Sequence, residues 1–116
     1  MKLLHQEPLV FAKDVISISE EKAEVLCEFE QLPTIGMFIE TAAQSTAAFF
    51  QDIDIQSGYL AQASNIELLE KVTEKSYVTL LNLEIKFESM AKYSFVIQNS
   101  SNNKIVCKGE VTVSIQ

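Results

Sequence analysis

The feature that most constrains this fold is a helical segment from about Pro33 to Phe50 that is apolar or small on nearly every side. Pro33 suits the start of a helix, where its missing N–H group does no harm. The residues that recur at helical spacing or fill the gaps are Ile35, Phe38, Ile39, Ala42, Ala43, Thr46, Ala47, Ala48 and Phe49. A helix of this composition is buried on most sides. The remainder of the chain must therefore wrap it.

The flanking sequence predicts strands that can do so. The expected extended segments are residues 9–15, 23–29, 59–69, 81–87, 93–97 and 105–115. Apolar and polar residues alternate in the last three, the period of a half-buried strand, and polar residues 100–103 predict a hairpin turn. One buried helix followed by an antiparallel meander indicates an α+β fold. At 116 residues we expect a single domain, residues 1–116.

Charge and composition exclude several functions. A net charge of −7 removes the electrostatic attraction on which nucleic-acid binding depends. No apolar run is long enough to cross a bilayer, and the start has no signal-peptide core, so we expect a cytoplasmic protein without membrane contact. One histidine, His5, and two scattered cysteines, Cys27 and Cys107, form a poor metal-ligand set. We therefore expect free thiols, no metal and no cofactor.

Three segments carry a resemblance to a known family. Residues 32–44 resemble the central-helix motif of the 3-hydroxyacyl-(acyl carrier protein) dehydratases, a Pro/Gly start followed by Glu-x-x-Ala-Gln, here ending in Glu40 and Gln44. Residues 4–11 are similar to that family's opening His-x-x-Pro before an apolar strand. Residues 59–65 are similar to its third-strand stretch Tyr-Phe-Ala-Gly-Ile-Asp-Asn. The order of these segments matches from about His5 to the final strand.

The resemblance implies a hotdog fold, a long central helix wrapped by a curved antiparallel sheet, with two protomers that pair edge to edge. It places two equivalent sites at the dimer interface, each with a histidine from one protomer and the helix glutamate from the other. Backbone N–H groups would polarise the thioester carbonyl. It implies Glu40 as the catalytic residue. The residues it implies for substrate binding are Gln44, Gln62, Gly36 and Phe38.

The chain departs from the family where the catalytic histidine should be. The family has a His-Phe-Pro-Gly stretch shortly before the helix, whereas residues 27–33 contain no histidine, and His5 matches the upstream motif instead. Cys27 and Glu28 fall in this region and could replace the base, although a single strand thiol is usually a core residue. Gln62 stands where the family has a glycine and retains a backbone N–H group.

Each candidate also has a structural interpretation. Glu40 is the only ionisable side chain from Leu32 to Gln51, and a carboxyl group in an apolar setting suits general acid–base work; alternatively it is a solvated carboxylate at the rim. Gln44 could orient Glu40, position a water molecule or bind substrate, or be a buried interface amide.

Three functions remain open. The chain could be a dehydratase-like lyase, an acyl thioesterase, or a non-catalytic subunit that supplies Glu40 to a mixed dimer whose partner supplies the histidine. The expected partners are an acyl thioester on acyl carrier protein or coenzyme A, and a second protomer in a homodimer or higher even oligomer. Acyl carrier proteins are acidic, so docking one would need a local basic patch. The candidate lysines are Lys71, Lys75, Lys86 and Lys92.

Overall fold

The computed structural model describes residues 11–50 and 59–114, which form one α-helix, one 3₁₀ segment and six strands. The elements are β1 (Ala12–Ile18), β2 (Lys22–Glu28), α1 (Ile35–Ser45), the 3₁₀ segment (Thr46–Phe50), β3 (Tyr59–Leu68), β4 (Ser76–Lys86), β5 (Met90–Asn99) and β6 (Ile105–Ser114). Each predicted extended segment thus overlaps a strand. His5 and the predicted start of the first strand lie outside the described residues.

The six strands form one antiparallel sheet in the order β1-β2-β4-β5-β6-β3. Helix α1 contacts β4 and β6 inside the sheet and also both edge strands, β1 and β3. A single helix can touch both edges only if the sheet curves around it. The predicted α+β architecture, a helix wrapped by a curved antiparallel sheet, is confirmed.

The core lies between α1 and the concave face of the sheet. Strand residues that face the helix, such as Val25, Ile97 and Val111, are fully buried, as are Phe38 and Ala42 of the helix. On β5 burial alternates residue by residue along the strand. The alternation therefore directs one face of the sheet into the core, as the sequence pattern predicted.

The helix is shorter than predicted because it begins at Ile35 rather than Pro33 and because its last turns tighten. Thr34 caps the start, where its Oγ1 accepts a hydrogen bond from the Met37 N–H at 3.2 Å. At the other end the Thr46 hydroxyl donates to the Ala43 carbonyl at 2.6 Å. This local bond accompanies the change from α-helix to 3₁₀ geometry at Thr46. Within the described ranges, no helix is long and apolar enough to cross a membrane.

The β4–β5 hairpin differs most from its predicted burial. β4 begins at Ser76, five residues before the predicted start, and pairs with β2 only as far as Asn82. Beyond that point β4 has no β2 neighbour, and a register shift between Leu83 and Ile85 turns the strand. The predicted half-buried Ile85 and Phe87 are consequently 47% and 68% exposed.

Candidate functional site

Glu40 and Gln44 form a hydrogen-bonded pair on α1. They are four residues apart, so they share one face of the helix. The Gln44 Nε2 group donates to the Glu40 Oε1 atom at 3.4 Å, and Glu40 is half-buried. The structure therefore brings together two of the predicted site residues. Glu40 is the only ionisable residue of α1, so its carboxylate is the acid–base group that this helix can offer.

Gln44 is held from its other side by the first strand. Its Oε1 atom accepts hydrogen bonds from the backbone N–H groups of Phe11 at 2.8 Å and Ala12 at 3.2 Å. Only the oxygen of a side-chain amide can accept hydrogen bonds from two N–H groups, so these two bonds fix the orientation of the Gln44 amide. The NH₂ group consequently faces Glu40. No pattern in the sequence indicated that Phe11 and Ala12 would be part of this arrangement.

The two residues suggested as replacements for the histidine lie in different surroundings. Cys27 is completely buried, with its Sγ atom 3.3 Å from Thr79 Oγ1 and 3.7 Å from Ser45 Oγ. Desolvation by burial raises the pKa of the Cys27 thiol to about 11, against the smaller opposing effect of these hydroxyl contacts. Glu28 is exposed at the end of β2. Use of either residue as the base stays a prediction.

Phe38 belongs to an aromatic cluster beneath the helix, defined as Phe11, Phe29, Phe38 and Tyr77. Its ring centroid is 6.0 Å from that of Phe29 and 5.2 Å from that of Tyr77, both edge to face. Phe38 is fully buried in the protomer. Its side chain therefore packs in the core, and its predicted contact with substrate stays untested.

Gly36 and Gln62 are both exposed. A Cβ atom added at Gly36, in the first turn of α1, would meet only Thr34 Oγ1 at 3.8 Å, so the protomer itself does not require a glycine there. Gln62 lies on β3, paired with Thr112 and next to a register shift after Leu60. Bulges of this kind re-aim backbone and side-chain groups. The binding roles of Gly36 and Gln62 remain predictions.

The lysines considered for carrier-protein docking lie on the β3–β4 connection and on the β4–β5 hairpin. Lys71 and Lys75 lie in the segment between β3 and β4, and Lys86 ends β4. Lys92 on β5 is 3.5 Å from the Glu110 carboxylate. The charge of Lys92 is thus partly compensated. Lys86 and Lys92 are neighbours across the β4–β5 ladder, where Ile85 pairs with Lys92 and Lys86 pairs with Ala91.

A groove of about 620 Å³ lies elsewhere on the molecule. It is formed by strands β1, β2, β4 and β5, and Ser17, Lys22, Leu80 and Ser94 are among its lining residues. No predicted site residue borders it. The groove is therefore separate from the Glu40–Gln44 pair.

No protein-family model matches the chain, and no curated protein has a matching sequence. Solved structures do resemble it. The dehydratase heterocomplex ApeI:P from Xenorhabdus doucetiae is 14% identical, with 98% of this chain and 88% of that chain covered and a TM-score of 0.78. A Streptococcus mutans UA159 protein bound to acetyl-CoA is 15% identical, with 97% and 95% covered and a TM-score of 0.70.

A third structure is a hypothetical thioesterase with coenzyme A from Streptococcus pneumoniae TIGR4. It is 15% identical, with 89% of this chain and 84% of that chain covered and a TM-score of 0.64. At such low identity these likenesses bear on the fold and leave the activity open. The helix, the curved sheet and the three similar structures together establish that this chain has the hotdog fold.

Proposed function

We propose that this protein acts on acyl thioesters and that Glu40 is its catalytic acid–base group. The observation that carries the proposal is the Glu40–Gln44 pair. It provides one carboxylate on an otherwise uncharged helix, held by an amide that two backbone N–H groups fix in direction. A carboxyl group with a fixed orientation is what proton transfer to or from a bound substrate requires.

Proteins of the same fold support acyl thioesters as the substrate class. One similar structure is a dehydratase heterocomplex, and two others contain coenzyme A or acetyl-CoA. We therefore propose an acyl group on coenzyme A or on acyl carrier protein as the ligand. Backbone N–H groups near Gly36 and Gln62 are our candidates for polarising the thioester carbonyl.

Dehydration of a 3-hydroxyacyl thioester is the first candidate reaction. The C2–H and C3–O bonds break, the C2 proton passes to a base, and the hydroxyl leaves as water once an acid protonates it. A C2=C3 double bond forms. Two groups are normally needed, and Glu40 supplies one. We propose that a second hotdog chain carrying a histidine supplies the other, in a mixed dimer, and that the homodimer alone is a poor dehydratase.

Thioester hydrolysis is the second candidate, and a specific observation favours it. Among the described residues, Glu40 is the only titratable group that α1 contributes. Hydrolysis needs one base to take a proton from water as the water oxygen attacks the thioester carbon, and a donor for the carbonyl oxygen. The C–S bond then breaks and the thiol leaves with a proton. One carboxylate and a backbone N–H group suffice.

The proposal is tested with purified protein and two substrates, a 3-hydroxyacyl-CoA and a saturated acyl-CoA. Enoyl formation is followed by absorbance and free thiol by a chromogenic reagent. We expect slow thiol release or slow enoyl formation by the wild-type protein, and neither by Glu40→Gln. Glu88→Gln, which changes an exposed carboxylate in the turn between β4 and β5, is the matched control and should retain the wild-type rate.

Two results would count against this assignment. Equal turnover per folded molecule in the wild type and Glu40→Gln would remove Glu40 from the chemistry. Fast enoyl formation by the homodimer alone would show that the chain carries its own second catalytic group, and would contradict the proposed need for a partner.

A further inference from the structure

Gln44 was expected to orient Glu40, to position a water molecule or to bind substrate, and its surroundings favour the first of these roles. The side chain is only 5% exposed. Its oxygen accepts two backbone hydrogen bonds from the first strand, and its nitrogen donates to Glu40. A buried amide with both ends engaged inside the protomer is poorly placed to contact a ligand. We propose that Gln44 is a positioning residue, through which the start of β1 orients the Glu40 carboxylate.

The backbone that holds Gln44 is itself held. The Phe11 carbonyl accepts a hydrogen bond from the Glu28 N–H at 2.9 Å, which fixes the peptide on one side. The Phe11 ring lies 4.9 Å from the Phe29 ring, centroid to centroid, at one end of the aromatic cluster. Strand pairing and ring packing therefore set where the Phe11 N–H group points. The Phe11 backbone and ring are therefore held by contacts that do not involve Gln44.

This arrangement gives the segment before the helix a structural role. Glu28 and Phe29 fall in the region where the related dehydratases have their catalytic histidine. Here the Glu28 N–H group and the Phe29 ring hold Phe11 in place, and Phe11 in turn holds Gln44. The inference rests on the proposed function of Glu40, but the contacts between β1, Gln44 and Glu40 can be tested without any substrate.

The first test uses nuclear magnetic resonance at constant pH. In the wild type, the Gln44 side-chain NH₂ signals should exchange slowly with water, because one N–H is bound to Glu40. Glu40→Ala should shift these signals and accelerate their exchange, whereas Glu88→Ala, a matched loss of an exposed carboxylate in the turn between β4 and β5, should leave them unchanged. Identical Gln44 signals in the wild type and Glu40→Ala would overturn the proposal.

The second test removes the amide. Gln44→Met keeps a similar shape and loses both hydrogen-bonding groups. The Phe11 and Ala12 backbone N–H groups should then exchange at least about tenfold faster, in keeping with the loss of about one hydrogen bond each. Gln98→Met is the control, because the Gln98 amide bonds to Asn103 in the turn between β5 and β6 and not to the first strand. Unchanged exchange of both N–H groups in Gln44→Met would contradict the proposal.

The third test separates positioning from substrate binding. A positioning role predicts that kcat of Gln44→Met on an acyl-CoA falls by about 10²-fold while KM stays near the wild-type value. A raised KM with unchanged kcat would instead identify a binding residue and overturn the inference. If Glu40→Gln turns over normally, the proposed function fails, and the Gln44 signals still decide whether this amide holds the carboxylate. If Gln44→Met does not fold, the Glu40→Ala spectra alone decide.

Discussion

Burial determines what the two thiols of this protein can do. Cys27 and Cys107 are both fully buried, and desolvation raises the pKa of each thiol to about 11. A thiol with that pKa is almost entirely protonated near neutral pH, whereas a nucleophile or base must be a thiolate. The hydroxyl groups of Thr79 and Ser45 lie beside Cys27 and partly offset the rise in its pKa without reversing it.

We expect the buried thiols to make stability fall at alkaline pH. Their folded pKa values, about 11, lie above the ordinary value of 9.0, so the folded state binds the protons more tightly. This contribution is complete below pH 9 and is lost as the pH rises through about 11. Urea unfolding at pH 8, 9.5 and 10.5 should show it, and the pH dependence should flatten in Cys27→Ala. A thiol reagent that labels native protein rapidly at pH 8 would contradict the prediction.

Two glycines should respond in opposite ways to alanine. A Cβ atom at Gly109 would lie 3.1 Å from Ile66 Cα and 3.2 Å from Phe95 Cε2, distances that force backbone or ring movement. Gly109→Ala should therefore lower the free energy of unfolding by about 1–3 kcal/mol. Gly36→Ala adds a Cβ atom that makes only an ordinary van der Waals contact with Thr34, and in a helix it should raise the free energy of unfolding by about 0.5–1 kcal/mol. Urea unfolding of both variants checks this, and a neutral Gly109→Ala would show that β3 moves freely there.

The Gly36→Ala variant also tests the proposed binding site. If a ligand approaches the start of α1, Gly36→Ala should be folded and at least as stable as the wild type, yet bind or turn over acyl-CoA less well. Wild-type turnover in this variant would show that Gly36 is an ordinary helix residue without a role in ligand binding.

At the scale of elements, β3 is shaped by a bulge next to Gly109. Two β3 residues, Asn65 and Ile66, lie opposite this single glycine of β6, and Asn65 has a φ of 54°, in the left-handed region. The Asn65 Nδ2 group donates to Glu110 Oε1 at 2.6 Å. Asparagine tolerates this conformation better than other residues with a Cβ atom, and the carboxylate of β6 secures it.

We expect the bulge to depend on residue 65. Asn65→Ala should destabilise the fold by about 1–2 kcal/mol, because alanine pays the full steric cost of a left-handed backbone. Asn65→Gly loses the contact with Glu110 but adopts this φ freely, so it should be the milder change. The hydrogen bond from Asn65 is also the main reason that the pKa of the Glu110 carboxyl is lowered. The ionised Glu110 carboxylate therefore makes a small contribution to the free energy of unfolding at neutral pH, and this contribution is lost as the pH falls. Equal losses in the two variants would contradict this account.

The sequence predicted the elements better than their contacts. Period-two alternation located β4, β5 and β6, and the apolar stretch around Phe38 located the helix, because both patterns follow from which residues are buried. The helix end could not be predicted, since it depends on the Thr46 hydroxyl. Gln44 was identified as a candidate, but its bonds to the first strand join residues 32 and 33 positions apart and leave no local pattern.

At the scale of the whole molecule, the two edges of the sheet are unequal. The start of β1 is covered by the Gln44 amide, and this strand carries the charged residues Lys13 and Asp14. The stretch of β3 from Tyr59 to Ile66 contains no charged residue. Exposed edges without charge favour pairing with another strand. In a chain of net charge −7, an uncharged edge is also where two copies repel one another least.

We therefore expect a homodimer, or a higher even oligomer, that pairs through β3. Ala61→Lys places a charge on the exposed edge and should shift the protein to monomer in sedimentation experiments at micromolar concentration. Ser17→Lys, an equivalent exposed position on β1, should leave the oligomer intact. A wild-type protein that sediments as a stable monomer, or an Ala61→Lys variant that remains dimeric, would contradict this interface.

The strand order also determines when the sheet can be completed during protein synthesis. β3 pairs with β6, so Tyr59 cannot pair until Ser114 has been synthesised. Helix α1, which is apolar on most sides, leaves the ribosome earlier still. Until β6 is made, the nascent chain carries an uncovered helix and an unpaired strand, the kind of surface on which misassembly begins. The translation speed through residues 69–114 should therefore influence the yield of soluble protein in a cell. The translation speed through β1 or β2 should have a smaller effect.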